Sequence, residues 1–482
     1  MNTKIGFLSR NGPENSFFFK VADKLKVENI DAFFIKNIGW NQGGDIFQFE
    51  LELEKIWNDI DITPLALSNL QAKFPNFNFM RALYSEREFN YFPLYYGLDP
   101  VSHEHQMKYL VGCFEIFDDW LDRVGVDFIV SELIAALDDA ILKEVAEQKA
   151  VKYYSVRQSK MTPGVIVCNG YNDEPLGMKM LYSQYIKNEI PAYIRNKALL
   201  HISSLRSEIE HPSYMEQSKK TFSIAPFQIF SSLFKWAIGR NSPEAFTSLT
   251  IRKMTQFETY KSTAIRLINL YQMRINFDRW FTKELKLNEK FIIYPLHYEP
   301  ESSTLVRAFH FSDQLALIKL IAKLLPLDVK LVVKEHGGNR GYRKPGFYRE
   351  VSHLPNVVLR PPEYNVSELI SSCLCVITLT GRMGWEATVN KKPVITLGDS
   401  FWSPIETVYN VQSWEELSES IWKCYRGEGS VDSFNEERLI AFTSSYIKCI
   451  YDGNFVPASD VYLTDDNIEF FKKLLLDLEG RL

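Results

Sequence analysis

Between residues 290 and 397 the chain alternates, without a break, between short β-rich runs and helical patterns. Strands are expected at 291–294, 329–334, 356–359, 374–378 and 393–397, and helices at 312–325, 345–352, 365–372 and 383–391. Apolar runs this short cannot form a core alone. Strung between helices, they close into a parallel sheet covered on both faces. The start of the chain carries the same pattern. Lys4–Leu8 reads as a strand, Ser9–Asn15 as a polar loop, Ser16–Glu28 as a helix and Asp31–Ile35 as a second strand. After a mostly helical stretch, 45–125, come a strand at Val126–Ser131, a helix through Ala150 and a strand at Val151–Val156. The fold class is therefore α/β: two doubly wound, Rossmann-type units facing a cleft, with a helical accessory segment between them. A chain of 482 residues has room for both, since one core rarely serves more than about 300 residues.

The boundaries expected from this pattern are 1–173 for the amino-terminal unit, 174–288 for the helical segment, 289–412 for the carboxyl-terminal unit, and 413–482 for helices that pack back across both. Residues 195–290 hold 16 Lys and Arg against 8 Asp and Glu, although the whole chain carries a net charge of −5. That excess reads either as a solvated helical face or as a surface for acidic lipid or anionic glycan. The aromatic stretch Phe222–Arg240 likewise reads as an interfacial membrane helix or as a helix packed on its own domain. The six cysteines are scattered with no C-x-x-C pair, which argues against a zinc site or a disulfide framework and fits a reducing cytoplasm. The apolar run at the amino terminus is too short for a secretory signal, and no stretch reaches the length of a bilayer span. The chain also lacks a Walker A sequence and a G-x-G-x-x-G in its first loop, which excludes the usual phosphate-binding and dinucleotide-binding motifs.

Polar chemistry collects where the carboxyl-terminal strands end. Phe291–Tyr294 stops at Pro295 and is followed by His297, Glu299, Glu301, Ser302, Ser303, Thr304 and Arg307. Strand 329–334 closes on Lys334-Glu335-His336, and strand 374–378 is followed by Thr380-Gly381-Arg382-Met383-Gly384 with Glu386 one turn into a helix. Ligands of open α/β sheets bind at these strand ends. The hydroxyls at 302–304 can cradle phosphate or simply cap a turn, and Arg307 can add charge to a leaving nucleotide. His297 and His336 stand at adjacent strand ends, where each is either catalytic or structural. Gly337, Gly338, Arg340 and Arg343 make a flexible basic loop suited to phosphate. Glu386 accepts hydrogen bonds from ribose hydroxyls, or else complements the helix dipole. Glu132, directly after the strand 126–131, is the candidate general base, with His103 and His105 behind it. The acidic pairs Asp59/Asp61, Asp118/Asp119 and Asp138/Asp139 read as solvated surface, so no metal ligand is assigned and no cofactor is expected.

Pro295–Thr304, Val333–His336 and Thr380–Ala387 together resemble the carboxyl-terminal half of bacterial capsule and surface-polysaccharide biosynthesis proteins, over roughly 290–400. That family includes GT-B glycosyltransferases, among them Kdo transferase-like members. The resemblance implies a GT-B-like glycosyltransferase with an acceptor-side amino-terminal unit and a nucleotide-sugar unit at the carboxyl terminus. Their places at strand ends assign catalytic roles to Glu132 and His297 and donor binding to Ser302, Ser303, Thr304, Arg307, Lys334, His336, Gly381, Arg382, Gly384 and Glu386, and for Glu386 the resemblance implies the ribose contact. Gly337 stands where the family commonly has Pro, and Arg382 where it usually has a small residue. The expected partners are a CMP-, UDP- or GDP-linked sugar, a glycan or lipid-linked glycan acceptor and an anionic membrane surface at the inner face of the plasma membrane. No nucleic acid is expected. Two other functions suit the same shape: a nucleotide-sugar epimerase or hydrolase, and a non-catalytic assembly or export factor.

Overall fold

The computed structural model describes residues 2–9, 12–36, 46–91, 100–207, 256–281, 289–339, 341–428, 434–457 and 459–480. Phe222–Arg240, Arg340 and, of the basic segment 195–290, residues 208–255 and 282–288 lie outside the described residues.

Two six-stranded sheets dominate. The first is built from β1 (Thr3–Ser9), β2 (Ile30–Lys36), β3 (Ile46–Gln48), β4 (Phe128–Ser131), β5 (Lys152–Gln158) and β6 (Val165–Cys168), in the order β3-β2-β1-β4-β5-β6. All its pairings are parallel except β5 with β6. The second uses β7 (Lys290–Pro295), β8 (Val329–Lys334), β9 (Val357–Arg360), β10 (Val376–Thr378), β11 (Val394–Thr396) and β12 (Val408–Asn410). Its order is β12-β11-β10-β7-β8-β9, parallel throughout. Both are the doubly wound order, and each reverses direction between its first and fourth strands, so the crevice for a ligand opens at the ends of β1 and β4 and of β7 and β10.

Side chains of a strand point alternately to the two faces, so a sheet covered on both sides needs apolar residues at every position. The strand β7 shows this directly. Ile292 and Tyr294 enter the core formed with the helix Gln314–Leu324, whereas Phe291 and Ile293 enter the one formed with Trp385 and the helix Glu436–Lys448. In the first sheet, Ile5 and Phe7 pack against the helix Gly12–Leu25, and Leu8 packs on the opposite face beside the long helix His103–Val124.

β3, β6 and β12 were not expected. β3 has only three residues, and β6 is an antiparallel edge strand next to β5. After the helix Glu436–Lys448 the chain returns to the first sheet. Tyr451 exchanges backbone hydrogen bonds with Val165, both at 2.8 Å. The carboxyl-terminal helix Asp465–Glu479 then packs on Gly12–Leu25, where Phe471 meets the edge of Phe17 at 4.6 Å.

Candidate functional site

A cavity of about 540 Å³ lies between the two sheets, lined from one side by Glu132, Arg157, Lys160 and Asp173, and from the other by the loops after β7, β8 and β10.

His297 spans the point where the second sheet reverses. Leaving β7, its buried ring crosses to the end of β10, where Nε2 accepts the Leu379 N–H at 3.2 Å and lies 3.1 Å from the Thr378 hydroxyl. That hydroxyl in turn accepts the Gly381 N–H. Accepting at Nε2 leaves the ring proton on Nδ1. Burial, helped by the nearby positive charge of His336 and Arg343, pushes the imidazole down to about 3, so it stays neutral. A β-carbon on Gly381 would come within 2.9 Å of the ring. His297 also lines the cavity. With Nε2 engaged by the backbone, the residue shapes the turn that carries Gly381.

That turn starts the helix Arg382–Val389, whose N-cap Gly381 offers no side chain to its first-turn amides. Thr380, Gly381, Arg382 and Met383 line the cavity at this uncapped end, which favours an anion. Glu386, one turn in, is buried and lines the same wall. Its carboxylate meets Arg382 Nε at 3.1 Å, yet burial outweighs Arg382 and Lys334 and pushes it up to about 7. Gly384 does not line the cavity. A β-carbon there would stand 2.5 Å from the Trp402 ring, so the glycine lets the helix pack on that indole.

Lys334 and His336 close β8 beside His297. Lys334 is buried and donates to the Pro362 carbonyl at 2.8 Å, and His336 accepts the Gly338 N–H on Nδ1. Burial also lowers the His336 imidazole. The loop that follows is not a loose basic arm. Arg343 is buried, donating to Glu299 at 2.6 Å and to the His297 carbonyl at 3.0 Å, with Glu335 3.4 Å from its Nε. It therefore holds the loop after β7 in place.

The 301–307 loop differs from expectation. Ser303 lines the cavity, with its hydroxyl on Glu301 at 2.7 Å. Thr304 is fully buried within the short helix Ser302–Leu305, donates to the Glu301 carbonyl at 2.8 Å and is not among the residues lining the cavity. The Ser302 side chain lies outside the described residues. Arg307 is consumed as well. Both terminal nitrogens reach Asp173 across the cleft, at 2.8 and 3.1 Å, and Arg157 donates to the same carboxylate at 2.8 Å. Asp173 is buried, but the cations Arg307, Lys160 and Arg157 hold it well below the usual carboxylate range.

Glu132 follows β4 at the reversal point of the first sheet and lines the cavity opposite the β10 turn. His103 and His105 are not among its lining residues. They begin the helix His103–Val124, where the His105 ring lies tilted against Trp57 with centroids 4.5 Å apart. Asp138 and Asp139 are buried rather than solvated, and Asp139 accepts the Ala135 N–H at 2.9 Å to start the helix Leu137–Gln148. Among the described residues no group of three or more His, Cys, Asp or Glu is placed to hold a metal ion, and no helix is long and apolar enough to cross a membrane.

Residues 240–408 match the family model described as Capsule polysaccharide biosynthesis protein. Among solved structures, a beta Kdo 2,7 transferase, KpsC of Thermosulfurimonas dismutans, is 14% identical, covering 76% of this chain and 89% of its own at a TM-score of 0.31. The beta Kdo 2,4 transferase of that KpsC is 14% identical, covering 66% of this chain and 79% of its own, with a TM-score of 0.30. UDP-GlcNAc 2-epimerase from Neisseria meningitidis bound to UDP-GlcNAc is also 14% identical, covering 93% and 98% at 0.25. No curated protein matches the chain. Superpositions at such TM-scores decide nothing about the chemistry, and the fold rests on the two sheets themselves. The family match takes in β7 to β11, the strands whose ends form one wall of the cavity, so it is the carboxyl-terminal half that is similar to the capsule polysaccharide biosynthesis proteins.

Proposed function

We propose that the protein is a glycosyltransferase that moves a sugar from a nucleotide-activated donor to a growing capsular or surface glycan. The observation that supports this most is the placing of two carboxylates, Glu386 and Glu132, on opposite walls of one cavity, each at the reversal point of its own sheet. The donor phosphate sits at the uncapped start of Arg382–Val389, beside Lys334, His336 and Arg382, and the ribose hydroxyls donate to Glu386. Glu132 removes the acceptor hydroxyl proton. The freed oxygen attacks the anomeric carbon, and the bond from that carbon to the phosphate oxygen breaks. The phosphate keeps the electron pair, and the amides and cations around it stabilise the developing charge. No metal takes part in this proposal. In this reading the donor is CMP-linked, as the sequence resemblance to Kdo transferase-like capsule proteins suggests, with UDP and GDP sugars next, and the acceptor is a lipid-linked glycan reached by peripheral contact with an anionic membrane in the cytoplasm.

The test is nucleotide release from CMP-, UDP- and GDP-sugars, with and without a lipid-linked glycan fraction. Release that needs the glycan, and that falls by about 10²–10⁴ in Glu132→Gln while nucleotide affinity holds, supports transfer. Turnover without glycan favours an epimerase or hydrolase. Absence of nucleotide binding favours a non-catalytic assembly factor.

A further inference from the structure

One short segment of the amino-terminal half touches two loops that line the cavity from opposite sides. The helix Phe79–Ser85 is capped by Asn78 and ends at Glu86 in extended backbone. Ser85 is buried, and its hydroxyl lies 2.7 Å from the Leu305 carbonyl as well as from the Arg81 carbonyl of its own helix. Arg81 donates to the Val306 carbonyl at 2.8 Å and lies over the Phe309 ring. The carboxyl-terminal end of Ser302–Leu305 is therefore satisfied by groups more than 200 residues away in sequence. The next residue faces the other loop. Glu86 is buried, its Oε2 accepts the Leu137 N–H at 2.8 Å and its Oε1 the Glu88 N–H at 3.0 Å. Leu137 is the first helical residue after the 132–136 loop, whose end is held also by Asp139.

We infer that Arg81, Ser85 and Glu86 are positioning residues that lock the 302–307 loop and the 132–137 loop to each other. Ser85 and Glu86 are joined by one planar peptide, so neither loop shifts without moving the other or breaking a buried hydrogen bond. The donor-side and acceptor-side walls are thereby held at one separation. This inference rests on the reading above for the roles of the loops, but not for their coupling.

Hydrogen exchange followed by mass spectrometry on the full chain, without ligand, tests it. Ser85→Ala touches only the 302–307 side directly, yet is expected to speed exchange in 132–139 as well. Glu86→Gln is expected to do the reverse. Each remote effect should be about fivefold, the equivalent of one ordinary hydrogen bond, and Ser85→Thr, which keeps the hydroxyl, should restore wild-type exchange in both loops. Arg81 is exposed, so Arg81→Ala reads the same coupling if the buried variants fail to fold. Changes confined to the loop next to each substitution would overturn the inference. A protein that binds no nucleotide but shows the remote effect would remove the functional reading and leave this one standing.

Discussion

Glu386 shows best how a residue's environment sets its chemistry. Its carboxyl has an ordinary value of 4.5 and is pushed up to about 7 in the fold. The native state thus binds this proton more tightly than the unfolded chain does. The stability this contributes is complete below about pH 4.5 and is lost as pH rises toward 7, by up to roughly 3 kcal/mol. Thermal melts of wild type and Glu386→Gln should accordingly diverge between pH 5 and pH 8, with the variant gaining at the higher pH. Ribose hydroxyls need the ionised form as acceptor, so nucleotide affinity should run the opposite way and tighten from pH 6 to pH 8, as titration calorimetry can measure. Binding that is indifferent to pH over that range would place the ribose elsewhere. The position of Glu386 was legible in the sequence, because strand, small residues and carboxylate follow one another within ten residues. The pairing of Arg307 was not. Its partner Asp173 lies 134 residues away, and nothing local distinguishes an arginine awaiting phosphate from one already bound to a carboxylate.

At the scale of elements, the strand ends behave as the alternation predicts, and the loops between them carry the surprises. Strand β8 and the helix Pro345–Ser352 coincide with their expected ranges. Three residues give no periodicity, which hides β3 and β12 from the sequence pattern, and β6 is hidden because its apolar run follows a proline and a glycine and lies antiparallel at an edge. Asp138 and Asp139 were read as surface since acidic pairs usually are, but at a helix start a carboxylate can be buried on backbone amides. Two substitutions test how tightly the loops are built. Gly384→Ala drives a methyl into Trp402 and Thr378, and should cost about 1–3 kcal/mol in urea unfolding. Asp173→Asn leaves Arg157 and Arg307 buried without their shared anion, which should cost about 3–5 kcal/mol. A change below about 0.5 kcal/mol in the second case would mean that the two guanidinium groups find other partners.

Across the whole molecule, the two sheets are not independent. The carboxyl-terminal helix Asp465–Glu479 completes the core of the first sheet with Phe471, Leu474 and Leu475, although the chain reaches it only after the second sheet is built. Phe471→Ala should therefore destabilise the protein by about 3–5 kcal/mol, and differential scanning calorimetry of wild type should show both halves melting in one transition. Two separate transitions would mean that the crossing segment contributes little. The cleft owes its existence to this arrangement. Each sheet alone supplies one carboxylate at its reversal point, and only their facing positions make the two-substrate site proposed above.

Whether a nucleotide binds in this cleft with its ribose on Glu386 is tested most directly by thermal shift of the purified protein against CMP, UDP, GDP and the corresponding diphosphates, with Glu386→Ala in parallel. A ligand that binds only the native state must raise the melting temperature. Stabilisation by nucleotides of one base, abolished in Glu386→Ala while the variant itself stays folded, is the result predicted. No shift with any nucleotide, or a shift that survives the substitution unchanged, would contradict it.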